Sequence, residues 1–498
     1  MSFIPRTRGG ALWRFLLAAV LIIGATAATT AVAGLLQFKQ LGDYLNISPS
    51  IVHADVHVPP PGQPQTVLVI GSDHRIGEAF NAAHTDTMLL VHLNADSQTI
   101  NVMSIPRDLQ VTIPGFGVSK LNAAYADGGP NLLIKTIKAN VFPNLHVNHI
   151  VDVNFGSFQA LVNAIGCVYA DVDHRYYNNT ALTNYSSIDI QPGYQKLCGV
   201  DALAFVRFRH TDSDLVRNAR QQDFIRWAKD QYGVGSILAN RDKLLKIFGA
   251  HTQTDHNLHT VDGLINLFDL VVNAAGHRIK QVRFPAQIQP CTATACFVTA
   301  DASAEAGAFS TFMRPTLAAA APAKRSGAGR AKRSRAAKLS AAGLVADVGD
   351  GKSQAAALGH AGMPVYYPRL IVAHTNYCSS LTSICPLETA SPGSYPRAYL
   401  IRDQQHRPHA AYRMTLVLNS LLGEYYGVQG TTWQRPPLLG SPLQTKVVAG
   451  KRLAIYEQGG SITDVAWHTA HGVYWVSNTL TTDIPNREMI NLAASLTH

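Results

Sequence analysis

Through the first half of the chain, short apolar or β-branched runs alternate with longer stretches of helical character. Val67–Ile70, Met88–Leu93, Ile100–Ile105 and His149–Val153 have the length and composition of buried strands. Asn131–Val141, Phe155–Ile165, Leu215–Tyr232 and Val261–Ala275 predict helices between and after them. This alternation predicts an α/β domain over residues 66–301, with a central mixed sheet flanked by helices. A second, smaller α+β domain is expected over residues 360–498. There Asp464–Ser477 reads as a hairpin turning near His471-Gly472, and Asn486–Leu496 as a closing helix.

One apolar run is of another kind. Phe15–Phe38 contains 24 residues without a charge, more than the roughly 20 that a helix needs to cross a bilayer. Arg6, Arg8 and Arg14 precede it with no acid among them, which predicts a cytoplasmic tail (1–14), a transmembrane anchor (15–38) and an extracytoplasmic remainder. Ala31-Val32-Ala33 also has the small-x-small form of a signal cleavage site. Either reading puts the bulk of the chain outside the cytoplasm. Residues 39–65, with Pro59-Pro60-Pro61 and Pro64, read as a stalk. Residues 302–359, rich in Ala, Gly, Ser, Lys and Arg, read as a disordered linker.

Charge sharpens the picture by where it sits. Lys324, Arg325, Arg330, Lys332, Arg333, Arg335 and Lys338, with the three arginines of the tail, account for the whole formal net charge of +10. The folded regions are left without a basic excess, which argues against nucleic acid as a partner. The linker's basic run could meet anionic lipid or acidic wall polymers. The six cysteines fall into sequence-local pairs, Cys167 with Cys198, Cys291 with Cys296 and Cys378 with Cys385. An even number outside the cytoplasm suggests disulfides, and the absence of Cys-x-x-Cys disfavours zinc.

Four segments place polar groups at the edges of apolar runs, where an α/β sheet presents its ligand crevice. They are Gly71-Ser72-Asp73-His74-Arg75, Thr85-Asp86-Thr87-Met88, Ser104-Ile105-Pro106-Arg107-Asp108, and the stretch from Val206 to Gln222. Arg207, Arg209, Arg217 and Arg220 offer rigid donor forks suited to phosphate oxygens, and Asp73 and Asp86 could hold a hard cation such as Mg²⁺. On a helix starting near Leu215, Arg217, Arg220 and Gln221 share a face. Together these residues describe a diphosphate–metal site.

In order and spacing, these blocks, with Lys120-Leu121-Asn122-Ala123-Ala124-Tyr125 and Gly128-Gly129-Pro130, resemble the LytR-CpsA-Psr family over about residues 66–235. The resemblance does not reach the linker or the second domain. It implies a membrane-anchored phosphotransferase that moves a glycopolymer from a polyprenyl diphosphate carrier onto peptidoglycan through a phosphodiester. It assigns Mg²⁺ to Asp73 and Asp86, and the diphosphate to Arg75, Arg107, Lys120, Arg207, Arg209, Arg217 and Gln221, with Arg220 beside them. Arg107, Arg209, Arg217 and Asp108 are the expected catalytic set, with Asp108 or Asp214 accepting the hydroxyl proton. Leu132–Val141 and Phe155–Ile165 could line a lipid pocket, or simply pack the core. The Ala-rich composition resembles that of high-GC actinobacteria, which extends the reading to arabinogalactan. A pyrophosphatase using water as acceptor, and a lipid-binding protein without turnover, are the alternatives; a transcriptional role conflicts with the expected location. The chain departs from the family pattern at His84, where Arg is frequent, at Thr85, which replaces Ser, and at Cys167, which replaces a Gly and is expected to pair with Cys198.

Overall fold

The computed structural model of the chain describes residues 62–73, 85–97, 99–179, 187–209, 212–232, 252–260, 277–290, 297–316, 343–379 and 394–498, with isolated positions between. The expected tail and anchor, most of the stalk, the basic run 324–338 and the pair Cys291/Cys296 lie outside the described residues. No helix among the described residues is long and apolar enough to cross a membrane.

The strands of the first sheet are β1 (Gln65–Ser72), β2 (Thr85–Leu93), β3 (Thr99–Ser104), β4 (His149–Asn154), β7 (Thr252–Thr254) and β8 (Arg278–Gln281); between β4 and β7 come β5 (Val168–Val172) and β6 (Gly193–Leu197). The sheet runs in the order β7-β4-β1-β2-β3-β8. β1 is antiparallel to β2 and parallel to β4, so the sheet is mixed as expected. Alternation along each strand splits its side chains between two cores. On one face Leu68, Ile70, Leu90, Met103 and Ile150 pack against Leu133, Ile134 and Ile137 of helix α1 (Leu121–Asn140). On the other, Val67 and Val151 meet Leu258, while Leu93 meets Leu270 and Ala274. Most of the helix predicted over 261–275 lies outside the described residues.

Beside this sheet, β5 and β6 form a ribbon that packs with α2 (Phe155–Ala164), α3 (Gly199–Arg207) and α4 (Asp214–Gln231) in a second core around Val168, Phe205, Phe224 and Trp227. A disulfide joins Cys167 to Cys198, tying the start of the ribbon to the cap of α3. Cys167 has φ of 69°, the left-handed conformation that glycine adopts freely.

The linker is shorter than expected. Residues 302–313 form helix α5 (Ala302–Met313), whose Phe312 is fully buried and whose Phe309 stacks on Phe142 at 4.9 Å. Three bulky apolar residues on an Ala- and Gly-rich stretch are enough for one buried face, which composition alone conceals. At the other end, Leu344–Ala346 pairs with Leu370–Val372, and α6 (Val348–Ala357) follows.

The second domain is an antiparallel eight-stranded sheet of β9 (Asn376–Tyr377), β10 (Arg397–Arg402), β11 (Pro408–Asn419), β12 (Glu424–Thr431), β13 (Gln444–Val448), β14 (Lys451–Gln458), β15 (Ser461–His468) and β16 (Val473–Ser477). The expected hairpin is β15–β16, closed by Thr469 N donating to Gly472 O, and helix α7 (Asn486–Ser495) covers one face. A second disulfide joins Cys378 to Cys385.

The two domains meet through buried polar groups. Asp171 on β5 accepts from Arg413 Nη1 at 2.6 Å and from Gln429 Nε2 at 2.6 and 2.7 Å. Gly427 leaves room for that arginine, since a Cβ there would lie 2.6 Å from its Nη2.

Candidate active site

The polar blocks converge at one end of the first sheet because β1 runs into Asp73 while β2, antiparallel to it, starts at Thr85. The register shifts between Gly71, opposite Thr87, and Ser72, opposite Thr85, so Asp86 is the extra residue of a β-bulge. A bulge of this kind re-aims its side chain. Arg107 Nη1 reaches Asp86 Oδ1 at 2.6 Å, and Arg207 Nε reaches its Oδ2 at 3.0 Å, with the Arg207 guanidinium 3.9 Å over the Phe155 ring.

Asp108 forms the second junction. Lys120 Nζ contacts its Oδ1 at 2.9 Å and Arg209 Nη2 its Oδ2 at 2.6 Å. Burial pushes the Asp108 carboxyl up, but the Lys120 hydrogen bond and the charges of Arg209 and Arg107 outweigh it and hold it below the ordinary value.

Asp214 forms the third, in the first turn of α4, which Ser213 caps by accepting from Val216 N at 3.3 Å. Arg107 Nε and Arg209 Nε each lie 3.8 Å from Asp214 Oδ1, and Arg217, three residues along the helix, is in direct contact with it. Burial of Arg217 lowers its proton affinity, and Asp214 restores part of it. The buried Nε hydrogens of Arg107 and Arg217 make no hydrogen bond, and neither do the two Asp214 oxygens.

Arg107, Lys120, Arg207, Arg209 and Arg217 thus surround Asp86, Asp108 and Asp214. Positive charge exceeds negative, the carboxylates fix the guanidinium orientations, and buried N–H groups remain for an anion.

Two expected ligands are placed otherwise. Arg220 is fully buried and turned away from the cluster: it contacts Asp212, donates to Phe205 O at 3.1 Å and Phe208 O at 2.8 Å, and lies over Tyr176 at 4.5 Å. It holds the Phe208 backbone between Arg207 and Arg209 and is not a diphosphate ligand in this geometry. Gln221 is also buried, and its Nε2 donates to Val206 O at 3.1 Å. Asp73 is exposed at the end of β1, and Arg75 and His84 lie outside the described residues. Of the two segments expected to line a lipid pocket or pack the core, Leu133, Ile134 and Ile137 pack in the sheet core and Val162 in the second core.

Sequence reading passed over a polar network under the site. Ser72 Oγ donates to Asp152 Oδ1 at 2.7 Å and the Tyr125 hydroxyl donates to Asp152 Oδ2. Burial, followed by the Asp152 charge, drives the Tyr125 hydroxyl far above its ordinary value, so it stays a donor. An acid inside the strand, flanked by Ile150, Val151 and Val153, was the available signal.

A mixed sheet with a cationic cluster at its strand ends defines an anion-handling α/β protein, and comparison gives the family. The chain belongs to the LytR_cpsA_psr family, whose model matches residues 45–308. It is 32% identical over 220 residues to a polyisoprenyl-teichoic acid–peptidoglycan teichoic acid transferase, TagU, of Oceanobacillus iheyensis, a match covering 43% of this chain and 63% of that protein. It is 33% identical over 170 residues to a probable cell wall biosynthesis protein, LcpB, of Corynebacterium glutamicum, covering 32% of this chain and 39% of that one. Among solved structures it is similar to TagV of B. subtilis, with TM-score 0.42 and 22% identity over 50% of this chain and 96% of that one. The chain therefore spans less than two thirds of the length of these curated relatives.

Proposed function

We propose that the protein is a membrane-anchored, extracytoplasmic phosphotransferase that moves a glycopolymer from a polyprenyl diphosphate carrier onto peptidoglycan through a phosphodiester bond. The observation that carries this reading is the cluster of five cations locked onto three shared carboxylates at the sheet end. Membership of the family and the transferase relatives support it. The similarity to the corynebacterial protein and the Ala-rich composition support arabinogalactan as the polymer.

Phosphoryl transfer is governed by positioning and charge neutralisation. Arg107, Arg209 and Arg217 bind the diphosphate oxygens, with Arg207 and Lys120 at the rim. The acceptor hydroxyl oxygen attacks the sugar-linked phosphorus in line, and polyprenyl monophosphate leaves with the electron pair of the broken P–O bond. Asp108 acts here as a positioning residue, because Lys120 and Arg209 occupy both its oxygens. Asp214, whose Oδ1 faces Arg107, Arg209 and Arg217 and whose Oδ2 makes no hydrogen bond, is the carboxylate that takes the hydroxyl proton.

Asp73 and Asp86 would hold Mg²⁺, which would supply further neutralisation of the diphosphate. Arg107 and Arg207 take both Asp86 oxygens in this geometry, so the ion would displace one of those pairs and complete its shell with phosphate and water. No group of three or more metal-ligating side chains occurs among the described residues, so protein ligands alone would leave those positions to substrate.

The test is release of polyprenyl monophosphate from a polyprenyl-diphosphate oligosaccharide by the full chain in detergent with Mg²⁺. Arg107→Ala lowers the rate by on the order of 10²-fold or more. Bound donor that is never cleaved favours the lipid-binding alternative.

A further inference from the structure

A cleft of about 690 Å³ lies between the two domains, apart from the arginine cluster. One wall carries Ser104, the last residue of β3, Pro106 just beyond it, and Asn218 and Gln222 of α4; the opposite wall carries Glu424 and Thr481. The β11–β12 turn holds the walls together: Ser213 N donates to Leu422 O at 3.3 Å, and Gly423, with φ of 78°, sits where a Cβ would lie 2.6 Å from Asp212 Oδ1. Pro106 directly precedes Arg107 and Ser213 directly precedes Asp214. The cleft thus opens one residue away from the reacting cluster on two separate segments.

Two buried polar side chains in its lining each leave one atom without a close hydrogen bond. Ser104, 4% exposed, and Glu424, 6% exposed, leave Oγ and Oε2 respectively without a hydrogen bond, although Thr481 Oγ1 donates to the other Glu424 oxygen at 2.5 Å. Buried polar atoms are rarely left unpaired in a native fold, so each marks a position for a polar atom of a ligand.

The lining states what that ligand is. The lining is mixed, with carboxamides and hydroxyls from Asn218, Gln222, Ser461 and Thr481 set among apolar side chains such as Leu215, Phe284 and Leu480. The exposed charges of Arg283 and Asp483 oppose one another. Burial and then the charge of Asp483 push the Glu424 carboxyl up to about 8, so it enters the cleft uncharged at neutral pH. The single lining cation, Arg283, is matched by Asp483, which does not suit a polyanion, and amides and hydroxyls interrupt the apolar surface along which a polyprenyl chain would lie. A neutral chain bearing hydroxyl and acetamido groups finds a donor or acceptor on each wall and an apolar surface for a ring face.

We propose that this interdomain cleft is the acceptor saccharide site, binding a neutral acetamido-sugar chain and presenting one of its hydroxyls to the arginine cluster. The proposal rests on the transferase reading above and adds a task for the second domain, which the family match does not reach.

The test uses the full chain in detergent with the tetrasaccharide of N-acetylglucosamine as probe, read by saturation-transfer NMR. Donor hydrolysis by water is followed in parallel. Gln222→Leu removes an amide from one wall, and Ser461→Trp fills the cleft from the other. The expected result is saturable binding by the unaltered protein, weakened at least tenfold in both variants, with donor hydrolysis unchanged. Equal binding by the unaltered protein and both variants overturns the proposal, as does binding of a free stem peptide in place of the sugar. Sugar binding lost in the variants, with no donor cleavage by any form, leaves the cleft standing as a saccharide site and overturns the transferase reading instead.

Discussion

Arg209 Nη2 lies 2.6 Å from Asp108 Oδ2, joining segments 101 residues apart in the chain. The pair fixes a guanidinium that is about one third exposed, so its outer N–H groups are held ready for an anion before one arrives. Preorganised donors of this kind act on the charge that develops in the transition state.

Replacing Arg209 with Ala therefore leaves the fold intact and lowers turnover by on the order of 10²-fold or more. Arg209→Lys recovers little of it, because an ammonium cannot reproduce the fork. Steady-state kinetics with circular dichroism as the folding control checks both; near-normal turnover in Arg209→Ala contradicts the assignment.

Arg220 behaves in the opposite way. Arg220→Met deprives the buried Asp212 carboxylate of its guanidinium, and removal of one member of a buried ion pair costs about 3–5 kcal/mol. Thermal unfolding falls sharply, whereas a diphosphate ligand would show normal unfolding and a weakened donor affinity.

Residue by residue, this contrast shows how far the sequence reaches. Helical spacing puts Arg217 and Arg220 on a common face, but α4 is buried on most sides, from Asp214 through Trp227. Face-sharing therefore cannot separate an arginine aimed at the cluster from one aimed at the Tyr176 ring and Asp212. The strand-end blocks were legible because an apolar run followed by Asp or Arg marks where a strand leaves its sheet. The bulge at Asp86 was not, since it depends on the register with Gly71 and Ser72 across the sheet. In the second domain, Arg413 and Gln429 interrupt apolar runs, and both are buried on Asp171 of the first domain. Only the docked pair of domains discloses the partner.

Asp171→Ala removes that partner and destabilises the protein by about 3–5 kcal/mol, since Arg413 is left buried without its counter-ion. Asp230, about half exposed where it meets Lys229, is the control; Asp230→Ala shifts stability by about 1 kcal/mol or less. Equal losses in the two variants, measured by denaturant titration, contradict the buried-interface account.

Two carboxyls at the domain boundary set a pH dependence. Burial pushes Glu424 up to about 8 from 4.5 and Asp464 up to about 7 from 3.8. Raised values favour the protonated folded state, so their contribution is complete below the unfolded values and is lost as pH rises towards 8. Stability falls between pH 5 and 8, and Glu424→Gln with Asp464→Asn flattens the fall. The slope per group is at most about 1.4 kcal/mol for each pH unit between folded and unfolded values. Unfolding midpoints across that range read it directly.

The central claim is transfer, and the product decides it. Full-length protein, Mg²⁺, a polyprenyl-diphosphate oligosaccharide and peptidoglycan fragments are incubated and the fragments analysed by mass spectrometry. The account predicts a phosphodiester-linked sugar on the fragment, absent with Arg209→Ala; free sugar phosphate with unmodified fragments would contradict it and identify a diphosphate hydrolase.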